Sequence, residues 1–275
     1  MFRATKVEVP ACRSPMTARK ISLEALQKVR QRLRNALTLP ESENRPRSWS
    51  SYDEADEMSA PESVGELGDL FNFGNPLQEV TYAPNTRGQW FISSINPGAA
   101  LIALPGLRLR QGLRLVCYLQ RTQDSGIGMT WAVPEHLSTT QQLEQTLKQH
   151  GNPHPTGALE DVMLAMEGDR DPGSFLLASL LRRELRELGS IGKSCRWSHQ
   201  RLITDLPHSA LWQWRVPVPK DLSPKVQVLP SGEAAVEFFT CRTIPPFAIF
   251  HHFDQYVPGH YKAVGLNRAI ALIQC

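Results

Sequence analysis

The stretch that decides the fold reads Leu107-Arg108-Leu109-Arg110-Gln111-Gly112-Leu113-Arg114-Leu115-Val116-Cys117-Tyr118-Leu119-Gln120. Apolar and polar side chains alternate through much of it with a period of two, the pattern of a half-buried β-strand rather than a helix. Gly112 interrupts the run, so it reads as two strands joined by a turn. A two-residue loop at Gln111-Gly112 places arginines opposite leucines on one face. A three-residue loop, Arg110-Gln111-Gly112 with glycine in the left-handed position, pairs Leu109 with Leu113 and Arg108 with Arg114 and keeps the leucines together. The second register is expected. Like charges directly opposite destabilise a sheet, so Arg108 and Arg114 are expected to meet an anion: a carboxylate of this chain, or an acidic or phosphate-bearing partner. By the same reasoning Asp124-Ser125-Gly126 closes a second hairpin that pairs Leu119 with Trp131 and Cys117 with Val133. The segment 77–133 thus reads as an antiparallel meander.

Downstream the period changes to that of helices. Ser138-x-x-Gln141 is a capping-box start for a helix to about Gln149. A second helix is expected from about Gly157 to Glu167, and a third from Ser174 to Leu188, stopped by Gly189. The leucines at 176, 177, 180, 181, 185 and 188 give the third a wide apolar face. This block of about three helices, roughly 138–190, is followed by strands at Trp212-Trp214-Val216, Val226-Val228, Val236-Phe238, Phe247 to Tyr256 and Ala269 to Gln274. The last is apolar on both faces, as an interior strand would be. Strands, helices and then strands that complete a mixed or antiparallel sheet describe an α+β fold.

Upstream the charge is divided into blocks. Residues 1–50 carry a net charge of +7 and residues 51–79 a net charge of −8, within a 275-residue chain whose total is +3. The span from Pro40 to Pro61 is rich in Ser, Glu, Pro and Arg and buries too little apolar surface to fold alone. Residues 1–75 therefore read as a mobile N-terminal arm, of which 1–60 are expected to be dispensable for folding but not for partner binding, and 76–275 as a single α+β domain. The arm holds one basic amphipathic helix, about 22–37, with Ser22 as N-cap and a stripe of Leu26, Val29, Leu33 and Leu37. Lys28, Arg30, Arg32 and Arg34 fill most of its other face, and the acidic linker at 53–69 is placed to fold back on it as a mask.

Composition excludes several classes. Hydrophobic residues at 41% and charged residues at 21% describe an ordinary globular chain. No stretch approaches the ~18–20 apolar residues of a membrane span. The N-terminus carries no apolar run of the secretory kind. Five cysteines, an odd number without a C-x-x-C pair, point to reduced thiols in a cytoplasmic setting.

The candidate chemistry is sparse. His251-His252-Phe253-Asp254, with His260 six residues on, offers His252, Asp254 and His260 as an acid–base set. Adjacent histidines on a strand point to opposite faces, so His251 and His252 cannot grip one ion, and no metal or cofactor is expected. Cys195 and His199 carry no signature of a nucleophile–base pair. Gly189-Ser190-Ile191-Gly192-Lys193-Ser194 resembles a phosphate loop only until position 187, where the pattern needs glycine and the chain has Glu187. Arg196, Trp197, Arg201, Trp212, Trp214 and Arg215 interleave basic and aromatic residues as single-strand nucleic-acid binders do, although two tryptophans on one strand face usually pack a core.

These features favour a non-enzymatic cytoplasmic protein-interaction module, an assembly, adaptor or regulatory factor. It would bind a partner with an acidic surface through Lys28, Arg30, Arg32, Arg34, Arg108 and Arg114. The alternatives are a nucleic-acid-binding regulator and an enzyme centred on His252 and Asp254.

Overall fold

The computed structural model describes residues 18–44, 88–102, 104–122, 125–207 and 211–273. The chain opens with β1 (Arg19–Lys20), α1 (Leu23–Ala36) and the one-turn α2 (Glu41–Asn44). It resumes with β2 (Trp90–Ile92), the short α3 (Ala99–Ile102), β3 (Leu107–Leu109), β4 (Leu113–Arg121) and β5 (Gly126–Pro134). Then α4 (Thr140–Leu147), β6 (Met166–Gly168) and α5 (Pro172–Glu187) lead to β7 (Gln200–Ile203), β8 (Trp212–Trp214), β9 (Lys225–Val228), β10 (Ala234–Arg242), β11 (Ala248–Tyr256) and β12 (Ala263–Ile273). The fold is α+β, and every ladder between these strands is antiparallel. No helix among the described residues is long and apolar enough to cross a membrane.

The strands form three sheets. The C-terminal one runs β1-β9-β10-β11-β12-β8, with β7 also paired to β10; the others are β2-β4-β5 and β3-β6. α5 is the element they share. It packs against β5 and β3 on one side and against β9 and β10 on the other, and α1 covers it as well. Phe175, Leu176, Ala178, Leu180, Leu181 and Leu185 are all buried, so the first half of α5 is apolar nearly all round, as a helix enclosed by other elements must be, and its charged residues gather in the last two turns. One continuous core joins it to Leu115, Cys117 and Leu119 of β4 and to Val236, Phe238 and Tyr256 of the large sheet.

The helix expected near 22–37 forms as α1, capped by the Ser22 side chain, which accepts from the Ala25 N–H. It is not part of a separate arm. Leu26 and Leu33 are buried in the core against α5, each contributing roughly 1.5–3 kcal/mol of burial. Farther along, the buried Glu43 carboxylate accepts hydrogen bonds from Ser93 and Ser94, and the fully buried Arg121 donates from Nε to the Glu43 carbonyl at 2.7 Å. These long-range contacts tie residues 19–44 into the domain. The acidic block at 53–69 lies outside the described residues.

The strands of the opening stretch form, but their pairing differs from the expected one. β3 does not fold back on β4; it pairs with β6, placing Arg108 opposite Glu167 and leaving Arg114 opposite Val133. The expected hairpin would oppose two arginines, whereas the observed ladder opposes an arginine and a carboxylate at 2.7 Å. In the second hairpin Leu119 faces Gly128 and Cys117 faces Thr130, so the register is shifted from the expected one. Gly126 is a strand residue rather than the turn glycine: a Cβ there would come within 2.5 Å of the Arg121 guanidinium.

Two of the three expected helices are present. α4 starts one residue late, with Thr139 and Gln142 forming the capping box in place of Ser138 and Gln141. The helix expected at 157–167 is a turn of 3₁₀ helix, Val162–Ala165, followed by β6, because Met163, Ala165 and Met166 fill the core and β3 takes β6 as its partner. The expected C-terminal strands are all present, with β7 as an addition, but β10 is longer than expected and β12 starts at Ala263 rather than Ala269, with an exposed first half that an interior strand would not have.

Candidate anion-binding cleft

Beyond the C-terminal end of α5, on the face of the large sheet that meets this helix, lies a cleft of about 690 Å³. Its floor follows from strand alternation. His252 on β11 sits opposite Phe238 on β10 and Asn267 on β12, so all three point to the same face, while His251 points to the other. The expectation that the two histidines diverge is met: His251 stacks on Phe239 and bonds Glu237 Oε1 at 2.8 Å on the far side.

The floor is a closed polar network. Asp254, fully buried, is held by Arg183 through two hydrogen bonds and by Arg182 at 3.3 Å. Burial pushes the Asp254 pKa up, but the hydrogen bonds and charges of the two arginines outweigh it and hold the carboxyl below the usual range. Arg183 also donates to Asn267 Oδ1 at 2.8 Å, which fixes the orientation of that amide. The same oxygen accepts from His252 Nδ1 at 2.6 Å, while His252 Nε2 lies 2.8 Å from the Thr240 hydroxyl. The imidazole stacks on Phe238 with ring centroids 4.7 Å apart. Burial first, then the Arg183 charge, lowers its pKa to about 3, so His252 is neutral.

The rim is cationic. Arg186 on α5, Lys193 and Arg196 on the loop that follows, and Arg242 at the end of β10 all line the cleft. Among the described residues none of the four has a carboxylate within ion-pair distance, and the buried Nε of Arg242 has no hydrogen-bond acceptor. One carboxylate, Glu187, lines the same cleft, and its oxygens are occupied. They accept the backbone N–H groups of Arg196, Trp197 and Ser198, the middle one at 2.6 Å, and so hold the loop against the end of α5.

The structure redistributes the residues expected to bind a partner. Arg30 is buried, stacked 4.1 Å over the Trp197 ring, and bonded to Glu184 and to the carbonyls of Trp197 and Gln200. Arg34 shares Glu184, Lys28 pairs with Glu24 along the helix, and Arg32 is exposed. Arg108 is paired with Glu167, and Arg114 donates to the Ser138 carbonyl. Arg108 and Arg114 therefore lie on different ladders, and no cluster of the six residues forms.

The acid–base set does not assemble either. His252 and Asp254 share a face, but both are committed to the floor network. His260 belongs to the β11–β12 connection, where its Nδ1 accepts from Lys262 N and its carbonyl meets Arg170. No group of three metal-ligating side chains occurs among the described residues. Cys195 donates to the Ser190 carbonyl at 3.1 Å, and burial raises its pKa. Trp197 is buried, and Trp212 and Trp214 pack on the cluster of Phe239 and Ile249, so these rings are taken up by the interior. The glycine-rich segment set aside as a phosphate loop nevertheless supplies one wall of the cleft through Ser190, Lys193 and Ser194.

Compared with known protein families, with curated proteins and with solved structures, the chain matches none.

Proposed function

We propose that the chain is a non-enzymatic protein-interaction module that receives an acidic segment of a partner protein in the cleft beyond α5, acting as an assembly, adaptor or regulatory factor. The observation that carries this reading is the excess of positive charge at the rim: Arg186, Lys193, Arg196 and Arg242 line a cleft that holds one carboxylate, Glu187, which is bonded to backbone and paired with none of them. Cations gathered around a concave surface raise the local concentration of an anionic partner and fix its orientation. The binding surface is this cleft rather than the α1 helix. A cytoplasmic setting accords with the three free cysteines among the described residues.

The competing readings have less support. A nucleic-acid binder of the stacking type needs open aromatic faces, and Trp197 is covered by Arg30. An acid–base centre at His252 needs a group that titrates near neutral pH, and this imidazole is held neutral with both nitrogens engaged.

Fluorescence anisotropy with labelled polyglutamate tests the proposal. Wild type should bind with a salt-sensitive affinity, and Lys193→Glu with Arg196→Glu should abolish binding while leaving the melting temperature unchanged, since both side chains are exposed. A control pair, Arg32→Glu with Arg108→Glu, should bind nearly as wild type. Equal losses in both pairs would show general basicity at work and reject the cleft.

A further inference from the structure

We infer that the group seated in the cleft is a phosphoryl dianion carried on a side chain of the partner, an inference that rests on the acidic-partner reading above. Three features of the cleft separate phosphoryl from carboxylate.

The first is the count of charges. A carboxylate brings one negative charge and two oxygens, which leaves most of four cations facing one another across a concave surface. A phosphate monoester brings about −1.5 to −2 and three strong acceptor oxygens, which suits several forked guanidinium groups at once. Arg186, Arg196 and Arg242 supply the forks, and Lys193 adds a point charge.

The second is the polarity of the hydrogen bonds offered. Arg183 and His252 both donate to Asn267 Oδ1, so the NH2 end of that amide is turned away from them; Asn267 is exposed, and its NH2 has no protein acceptor among the described residues. The buried Arg242 Nε likewise lacks an acceptor. Leaving a buried N–H unpaired costs about 1–3 kcal/mol, so an incoming oxygen that satisfies it binds more favourably than one that does not. Two acceptors nearby are already engaged: Glu187 by three backbone N–H groups, the Ser190 carbonyl by Cys195. A surface with donors in excess suits a fully deprotonated oxyanion better than an unmodified serine or threonine hydroxyl, which brings no charge to the cations.

The third is fixity. Asp254, Arg183 and His252 are buried, and two of them bond the exposed Asn267 through its Oδ1, so that amide is held in place rather than free to turn over. Positioned donors discriminate between oxyanions by shape better than flexible surface lysines do.

Three peptide pools with identical randomised flanks, bearing serine, glutamate or phosphoserine at the centre, test the inference against the full chain by anisotropy. The phosphoserine pool should bind about tenfold tighter than the glutamate pool, as expected for several charge-assisted bonds replacing fewer. Inorganic phosphate should compete, and the preference should fall to about twofold in Arg242→Gln, with the exposed Arg186→Gln as a second variant should the first fold poorly. Equal binding of the glutamate and phosphoserine pools, both lost in Lys193→Glu with Arg196→Glu, would overturn the phosphoryl inference and leave the acidic-partner reading standing. Failure of both pools to bind would overturn the two together. An oligothymidylate that outcompetes the phosphoserine pool would overturn the inference by assigning the cleft to a nucleic-acid backbone.

Discussion

Arg183 and Asp254 meet through a two-pronged ion pair, with Nη1 at 2.5 Å from Oδ2 and Nη2 at 3.1 Å from Oδ1, in a part of the protein where the carboxylate has no solvent exposure. Arg182 sits on the same carboxylate, so two cations depend on one anion. Asp254→Asn keeps the shape and removes the charge, leaving both guanidinium groups uncompensated in the interior. The expected cost is about 3–5 kcal/mol, or roughly 10 °C in melting temperature for a chain of this size, readable by calorimetry. A variant that melts with the wild type would show that the pair does not hold α5 to the large sheet.

His252 sets an acid limit on stability. In the unfolded chain an imidazole binds a proton below about pH 6.5, whereas in the fold it stays neutral down to about pH 3. Between these limits the unfolded state carries the extra proton, so stability is full above about pH 6.5 and falls as the pH drops, by up to about 1.4 kcal/mol per unit. The depressed Asp254 adds its own loss only below about pH 4, in the same direction. Urea titrations of wild type and His252→Gln across pH 4 to 7 check this, with the variant expected to show the flatter profile.

Arg30 and Arg32 are two residues apart on α1 and have opposite roles. Arg30→Ala leaves two backbone carbonyls without their donor and the nearly buried Glu184 with Arg34 and Trp197 alone, and is expected to cost about 3 kcal/mol. Arg32→Ala touches an exposed side chain and should stay within about 0.5 kcal/mol. Chemical denaturation of the two variants compares them directly; equal stabilities would mean that α1 is not docked.

Gly128 is where β5 meets the end of α5. A Cβ at this position would collide with the Leu188 carbonyl oxygen, which is fixed backbone and cannot swing aside. Gly128→Ala should therefore cost roughly 3 kcal/mol, the upper end for overpacking. Gly151, whose φ is +97° but whose surroundings are open, should lose only about 1 kcal/mol on the same change. Urea midpoints of the pair separate steric collision from backbone preference.

Local patterns carried much of the fold. The alternation in β4, β10 and β11, the leucines of α5 and the Ser22 cap of α1 are all legible, because each depends on neighbours within a few residues. The pairing of β3 with β6 is not, since Glu167 stands far along the chain from Arg108 and only the folded core brings them together. The burial of Arg30 was hidden for the same reason: its partners Glu184, Trp197 and Gln200 are more than 150 residues away. The cleft draws its cations from α5, the following loop and β10, and no spacing rule links Arg186 to Arg242. One trace is present in the sequence, the five basic residues from Arg182 to Arg196, which follow no motif spacing.

Because Glu187 already holds the backbone of residues 196–198, the wall that carries Arg196 does not have to be ordered when a ligand arrives. Complex formation then costs little conformational entropy on this side, and association is governed by long-range attraction and diffusion rather than by rearrangement. The rate constant for capture should fall steeply with ionic strength, while the lifetime of the complex is set by short-range bonds and changes far less. The carboxylate that subtracts one charge from the cleft is thus also the group that makes it quick to fill.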